Sequence, residues 1–149
     1  MSTRSNIIAK TKEGYKVIYC HSDGYPEWVG ATLKKHYTKP EAVGWLFEKG
    51  DASSLGLPFR ERKWEDDYDE ERCLFYRSRG ETGIDSQLVT KEYFESLGES
   101  WIEYLYFFDG FDWYGVTNIP REYAGKKGEY EDAGLKTIEV DKLASVILG

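Results

Sequence analysis

The chain has 149 residues, the size of one domain, and a chain this long buries about two-thirds of its unfolded surface without disulfide or metal staples. Its 20 basic and 27 acidic side chains give a net charge of −7, which argues against a phosphate-tracking nucleic-acid binder, whose footprint is a basic face. Aromatic residues at 16 % and apolar residues at 40 % exclude a disordered chain.

Residues 6–10 and 15–20, rich in Ile, Val and Tyr, predict a hairpin turning through Thr11-Lys12-Glu13-Gly14. In its second strand Tyr15, Val17 and Tyr19 share one face, and Lys16, Ile18 and Cys20 the other. The stretch His21-Ser22-Asp23-Gly24-Tyr25-Pro26 breaks this pattern, and Pro26 is suited to open a helix. Val29, Leu33 and Tyr37 recur every four residues, the buried stripe of a helix over 27–37. Thr38 and Glu41 have capping-box spacing around Pro40, so a second helix is expected from there, burying Val43, Leu46 and Phe47 and stopping at Gly50.

Residues 51–58 are turn-rich. Segment 61–72 carries seven acidic residues against three basic ones, with Trp64 and Tyr68 four apart, and suits either a solvated helix or an ordered loop. A strand is expected over 73–77 and a loop over 78–86. Thr90 can cap a helix running to Leu97, with Gly98 as its stop. The strongest expectation is a second hairpin, 101–108 with 112–116, through Asp109-Gly110-Phe111. Its first strand is apolar on both faces and should be central and covered on both sides. Residues 118–134 read as loop, 135–140 as a last strand, and Asp141 as the cap of a C-terminal helix ending at Leu148. The expected fold class is α+β in one domain over 1–149, with an antiparallel sheet built from hairpins and three or four short flanking helices.

Cys20 and Cys73 are too few and too far apart for a disulfide framework, so a reduced cytosol is the expected compartment. No apolar run approaches the roughly 18 residues of a membrane span, and residues 1–10 lack a signal-peptide core.

The stretch Met1-Ser2-Thr3-Arg4-Ser5, then Tyr19-Cys20-His21-Ser22-Asp23-Gly24-Tyr25-Pro26-Glu27 with Val29-Gly30, Leu33 and His36-Tyr37, resembles a group of small bacteriophage and prophage proteins. Gly50-Asp51, Ser53-Ser54-Leu55, Tyr76-Arg77-Ser78-Arg79-Gly80-Glu81 and Glu103-Tyr104-Leu105-Tyr106 continue the likeness. Members often carry Trp at the position of Ser22 and His-Arg-Asp-Arg at 76–79. The resemblance implies a phage origin and the cytoplasm of an infected bacterium. It brings no activity with it.

Three kinds of site are expected. Cys20, His21 and Asp23 are a nucleophile, a base and an orienter by type, but adjacent residues of a strand point to opposite faces, which argues against joint use. The competing expectation is a buried Cys20 beside an Asp23-Gly24 turn. Arg77 and Arg79, two apart on a strand end, with Glu81 and the glycines that follow, could clamp an anion. Together with His21, Asp23 and Tyr25 they form the candidate ligand site. The alternative is that both arginines pair with the chain's carboxylates. Trp64, Glu65, Asp66, Asp67, Tyr68 and Asp69 form the candidate partner surface, an apolar stripe inside an acidic segment; a carboxylate-only Mg²⁺ site there is the alternative to a solvated face.

No paired metal-ligand spacing and no phosphate-loop motif occurs in the sequence, so neither a metal nor a cofactor is expected. The leading functional expectation is a phage accessory protein that binds and inhibits a host bacterial protein, such as a defence component, without direct nucleic-acid or membrane contact. The alternative is sequestration of a small anionic ligand such as a nucleotide signal by aromatic residues and the arginine pair, and the third an enzyme using the Cys20 turn. An open aromatic edge strand would favour a homodimer.

Overall fold

The computed structural model describes residues 2–149; Met1, which opens the resembling stretch, lies outside them. Two hairpins form the centre of one sheet. The first joins β1 (Ser5–Thr11) to β2 (Gly14–Cys20), in register from Ser5 opposite Cys20 to Thr11 opposite Gly14. The second joins β6 (Tyr104–Phe108) to β7 (Trp113–Thr117), with Asp109 Oδ1 accepting the amides of Phe111 and Asp112 in the turn. Between them in the chain come β3 (Ala52–Ser54), β4 (Leu74–Phe75) and β5 (Gln87–Leu88), and after them β8 (Lys136–Glu139).

The sheet runs β4-β3-β2-β1-β6-β7-β8, with β5 also pairing with β2. Its fold class is α+β, but the sheet is mixed rather than antiparallel. The hairpins lie side by side with β1 parallel to β6, while β2 pairs in parallel with β3 and β7 with β8. A parallel pair needs a crossover, and helices supply two of them. A π-helical turn (Pro26–Gly30), α1 (Ala31–His36) and α2 (Pro40–Lys49) connect β2 to β3; α4 (Lys127–Asp132) connects β7 to β8. With α3 (Lys91–Glu95) and α5 (Val140–Leu148) there are five α-helices among the described residues, more than the three or four expected.

The strands alternate two apolar faces, as the period of two requires. Ile7, Ala9, Ile18, Cys20, Tyr106 and Phe108 face the layer holding α1, α2 and α4, where Leu33, Leu46 and Tyr130 are fully buried. Ile8, Leu105, Phe107 and Val116 face the other layer, against Leu97 and Leu143. The expected faces of β2 are met, and β6 is interior and covered on both sides, as expected. The sheet ends on β4 and β8.

Several local expectations are corrected. Lys39, not Thr38, precedes α2, and no side chain caps it, because Pro40 occupies the first helical position and needs no amide partner. Glu139 stands at the start of α5, which places Asp141 in the first turn rather than at the cap. Thr90 does cap α3, its hydroxyl accepting from Tyr93 N at 3.3 Å. Segment 118–134 contains α4, and segment 51–58 contains β3. Arg77 and Arg79 lie on a 3₁₀ turn (Tyr76–Arg79) after the two-residue β4, not on a strand end. No helix among the described residues is long and apolar enough to cross a membrane.

Candidate functional site

The turn after β2 is built onto the start of β1. Asp23 takes a left-handed conformation (φ 55°), Gly24 N–H donates to Thr3 O at 2.8 Å, and Gly24 O accepts from the Tyr106 hydroxyl at 2.6 Å. A Cβ on Gly24 would stand 2.8 Å from Ser5 Oγ and Thr3 O, so glycine is required by close approach. The amides of His21 and Ser22 donate to Ala52 O and Ser53 O of β3, each at 3.0 Å. His21 Nδ1 meets the Tyr19 hydroxyl at 2.7 Å. Cys20 turns the opposite way into the core and donates weakly to Ser22 O. Burial pushes its thiol up to about 12, so at neutral pH it is neither exposed nor ionised, and the catalytic reading of the turn has no nucleophile there.

The acidic segment is an ordered loop. Its backbone pairs with the strand region that follows, through Arg62 N to Cys73 O and Cys73 N to Arg60 O. Part of its charge is used locally. Asp66 Oδ2 accepts from Lys63 N and faces Arg72 at 3.6 Å, Asp69 Oδ1 accepts from Glu71 N, Glu61 pairs with Lys49 and Glu71 with Arg60. Glu65, Asp67 and Glu70 remain exposed. Glu65, Asp66, Asp67 and Asp69 do not gather, and no group of three or more His, Cys, Asp or Glu side chains able to hold a metal occurs among the described residues.

Trp64 and Tyr68 part company, since without a helix their spacing does not align them. Trp64 tucks its indole N–H onto Phe75 O at 2.9 Å and stacks on Tyr76. Arg79 lies over the Trp64 ring, its guanidinium carbon 4.0 Å from the centroid, and is held by Glu81 at 2.7 Å. Tyr68 stands 69 % exposed over Arg62, 5.4 Å from its ring centroid. Arg62 is buried and has no carboxylate within ion-pair distance among the described residues.

The two sets of residues expected from sequence, one for a ligand and one for a partner, therefore adjoin. Arg79 and Glu81 join the partner surface through Trp64. Arg77 is turned away, donating to Lys49 O and pairing with Asp85. No hydrogen bond or ring pair joins His21 to Tyr76: His21 pairs with Tyr19, and Tyr76 with Trp64. One strand, β3, separates their turns, bound to the first through Ala52 O and Ser53 O and to the second through Asp51 O, which accepts from Tyr76 N.

Asp51 is a residue that sequence reasoning missed, although Gly50-Asp51 falls in a resembling patch. Its Oδ1 accepts the Tyr19 amide at 2.9 Å, fastening β2 to the start of β3. Burial pushes its carboxyl up to about 6, against the effect of the Tyr19 hydrogen bond and with Asp85 adding to the shift. The folded protein thus holds this proton more tightly than the unfolded chain. Stability from this group is full below about pH 4 and is lost as pH rises through about 6. Asp109 moves the other way: burial raises it, but the amides of Asp112 and Phe111 more than offset this, so its contribution is lost only below the ordinary carboxylate range. Between pH 4.5 and 7 the denaturation midpoint is expected to fall as pH rises. Asp51→Asn, whose amide oxygen can still accept from Tyr19, should flatten that slope and add about 1 kcal/mol at pH 7.5. Urea titrations at both pH values check this, and an unchanged slope in the variant would refute it.

Two recesses open beside these elements. One, of about 530 Å³, lies against β7 and β8 with Asp109, Glu139 and Lys142 at its rim. The other, of about 700 Å³, is lined by Arg4, Asn6, Tyr19, Ser100, Trp101 and Ile102. No family model, no curated protein and no solved structure matches the chain.

Proposed function

We propose that the protein is a bacteriophage accessory protein, acting in the cytoplasm of the infected bacterium, that binds and inhibits a host component such as a defence protein. Binding is through the acidic, aromatic-rich face around Trp64 and Tyr68. The phage setting rests on the resemblance of residues 19–37. The observation that carries the binding reading is Tyr68, a large ring left 69 % exposed yet braced from below by Arg62. In the same segment Trp64 stacks with Tyr76 and Arg79, and the carboxylates of Glu65, Asp67 and Glu70 are exposed.

Aromatic and arginine side chains inside a charged rim are the composition of a protein–protein hot spot. Their locked conformations reduce the ordering cost of association, and the free carboxylates suit a basic partner surface. The arginine-pair clamp for a small anion is the weaker reading, since it needs Arg77 and Arg79 to leave Asp85 and Glu81.

The test is affinity capture from host lysate, followed by binding and activity assays with the purified partner. Tyr68→Ala should weaken that binding by about 2 kcal/mol, as for a hot-spot residue, while the unfolding midpoint stays near wild type. High salt should weaken it too. A partner bound and inhibited equally by Tyr68→Ala and by the wild type would overturn this reading, as would the absence of any stoichiometric partner.

A further inference from the structure

The 700 Å³ recess is lined by Tyr19, whose hydroxyl meets His21, and by no residue of either set expected from sequence. It opens where β1 and β6 begin side by side, and the Glu103 amide donating to Arg4 O ties its two walls together at 2.8 Å. We infer that this recess binds a small organic anion carrying a planar ring, of the nucleoside monophosphate class.

Three observations carry it. Arg4 lines the recess, no carboxylate lines it with Arg4, and Arg4 makes no ion pair among the described residues. On a chain of net charge −7 that leaves an unpaired cation at the recess. Trp101 forms one wall, with 73 % of its surface exposed, and Arg121 braces it at 5.9 Å from the ring centroid while donating to Ser100 O and Ile102 O. An indole held in place with an open face is a stacking platform for a base.

The floor supplies polar groups suited to a phosphate or ribose. Tyr19 lines the recess with Arg4, and its hydroxyl meets His21 Nδ1 at 2.7 Å. Asn6 Nδ2 donates to the Tyr93 hydroxyl at 2.7 Å, which fixes the amide and leaves its second N–H and its oxygen for a ligand. The volume falls in the range of small-molecule sites, and a mostly apolar lining with a few convergent polar groups is their usual make-up. The recess does not involve Trp64 or Tyr68, so the two proposals can fail separately.

Calorimetric titration of the purified full chain with each of the four ribonucleoside 5′-monophosphates tests this, with adenosine and inorganic phosphate as half-ligands. At least one monophosphate should bind stoichiometrically, and each half-ligand should bind ten times more weakly or worse. Arg4→Met should weaken the monophosphate at least tenfold and leave adenosine unchanged; Trp101→Ala should weaken both monophosphate and adenosine at least tenfold. Since Trp101 is exposed, its variant should fold normally and retain binding through Tyr68. The inference is overturned if no monophosphate binds at 1 mM ligand, on the order of the weak limit for a specific site, or if both variants bind as the wild type does.

Discussion

Gly115→Ala is expected to cost about 3 kcal/mol, the upper end for overpacking a core. A Cβ at this position would stand 2.1 Å from two atoms of the Tyr130 ring. That ring is fully buried, packs edge-on against Tyr104 and Tyr106 with centroids 6.0 and 5.8 Å away, and accepts the Leu105 amide on its hydroxyl at 3.3 Å. Gly125 closes the other side, where a Cβ would come within 2.6 Å of the Tyr130 hydroxyl. The ring has nowhere to retreat, so a single methyl must move α4 or β7. Urea denaturation should show a lower midpoint with an unchanged slope. Adding Tyr130→Leu should cost less in the Gly115→Ala background than in the wild type, because the two side chains contend for one space. A loss under 1 kcal/mol for Gly115→Ala would mean that the β7–α4 contact is looser than its geometry.

Gly50→Ala should be comparably damaging for a different reason. Gly50 ends α2 at φ 85°, ψ −152°, a region open essentially to glycine alone. An added Cβ would also stand 2.4 Å from Ile84 O, the acceptor of the Asp51 amide. Backbone strain and collision together should cost about 3 kcal/mol. The natural comparison is Gly44→Ala in the same helix, where a Cβ meets nothing within 4 Å and helix propensity should add about 0.5–1 kcal/mol of stability. Opposite signs in thermal melts of the two variants are the expected outcome. Equal effects would refute the requirement for glycine at the end of α2. Since β3 carries the hydrogen bonds to both turns of the candidate site, Gly50→Ala should also weaken partner binding, whereas Gly44→Ala should not.

Where a signal is local, it was legible. Thr90 before α3, Asp109-Gly110 between β6 and β7, and the alternation of Tyr15, Val17 and Tyr19 with Ile18 and Cys20 each depend on neighbours in the chain, and each appears as expected. The parallel join of β1 to β6 could not be read the same way. Each hairpin is antiparallel within itself, and nothing in either one states how it lies against the other. Strands β3, β4 and β5 were missed or misjudged because they are two or three residues long, too short for a period to repeat.

The candidate site divides in the same manner. His21, Asp23 and Tyr25 stand out in the sequence because a polar turn interrupts a strand, and Trp64 and Tyr68 because aromatics stand among acids. Their spacing suggested one helical stripe, yet the loop sends Trp64 inward and leaves Tyr68 out. Arg4, Asp51 and Trp101 had no such local mark. Their neighbours lie across the fold, on residues that are distant in sequence.

The side-by-side join of the hairpins also bears on how the chain reaches this state. The β1–β2 hairpin can form as soon as residue 20 is available, but the other edge of β1 finds its partner only when residues 104–108 arrive. Until then a strand whose Ile7, Ile8 and Ala9 end up fully buried presents unpaired amides and carbonyls, a template for pairing with another nascent chain. Long-range parallel pairing is slow because loop closure must precede its reward. Refolding yield should therefore fall with protein concentration, and co-expressed chaperones should raise the recovered fraction more than lower temperature alone does.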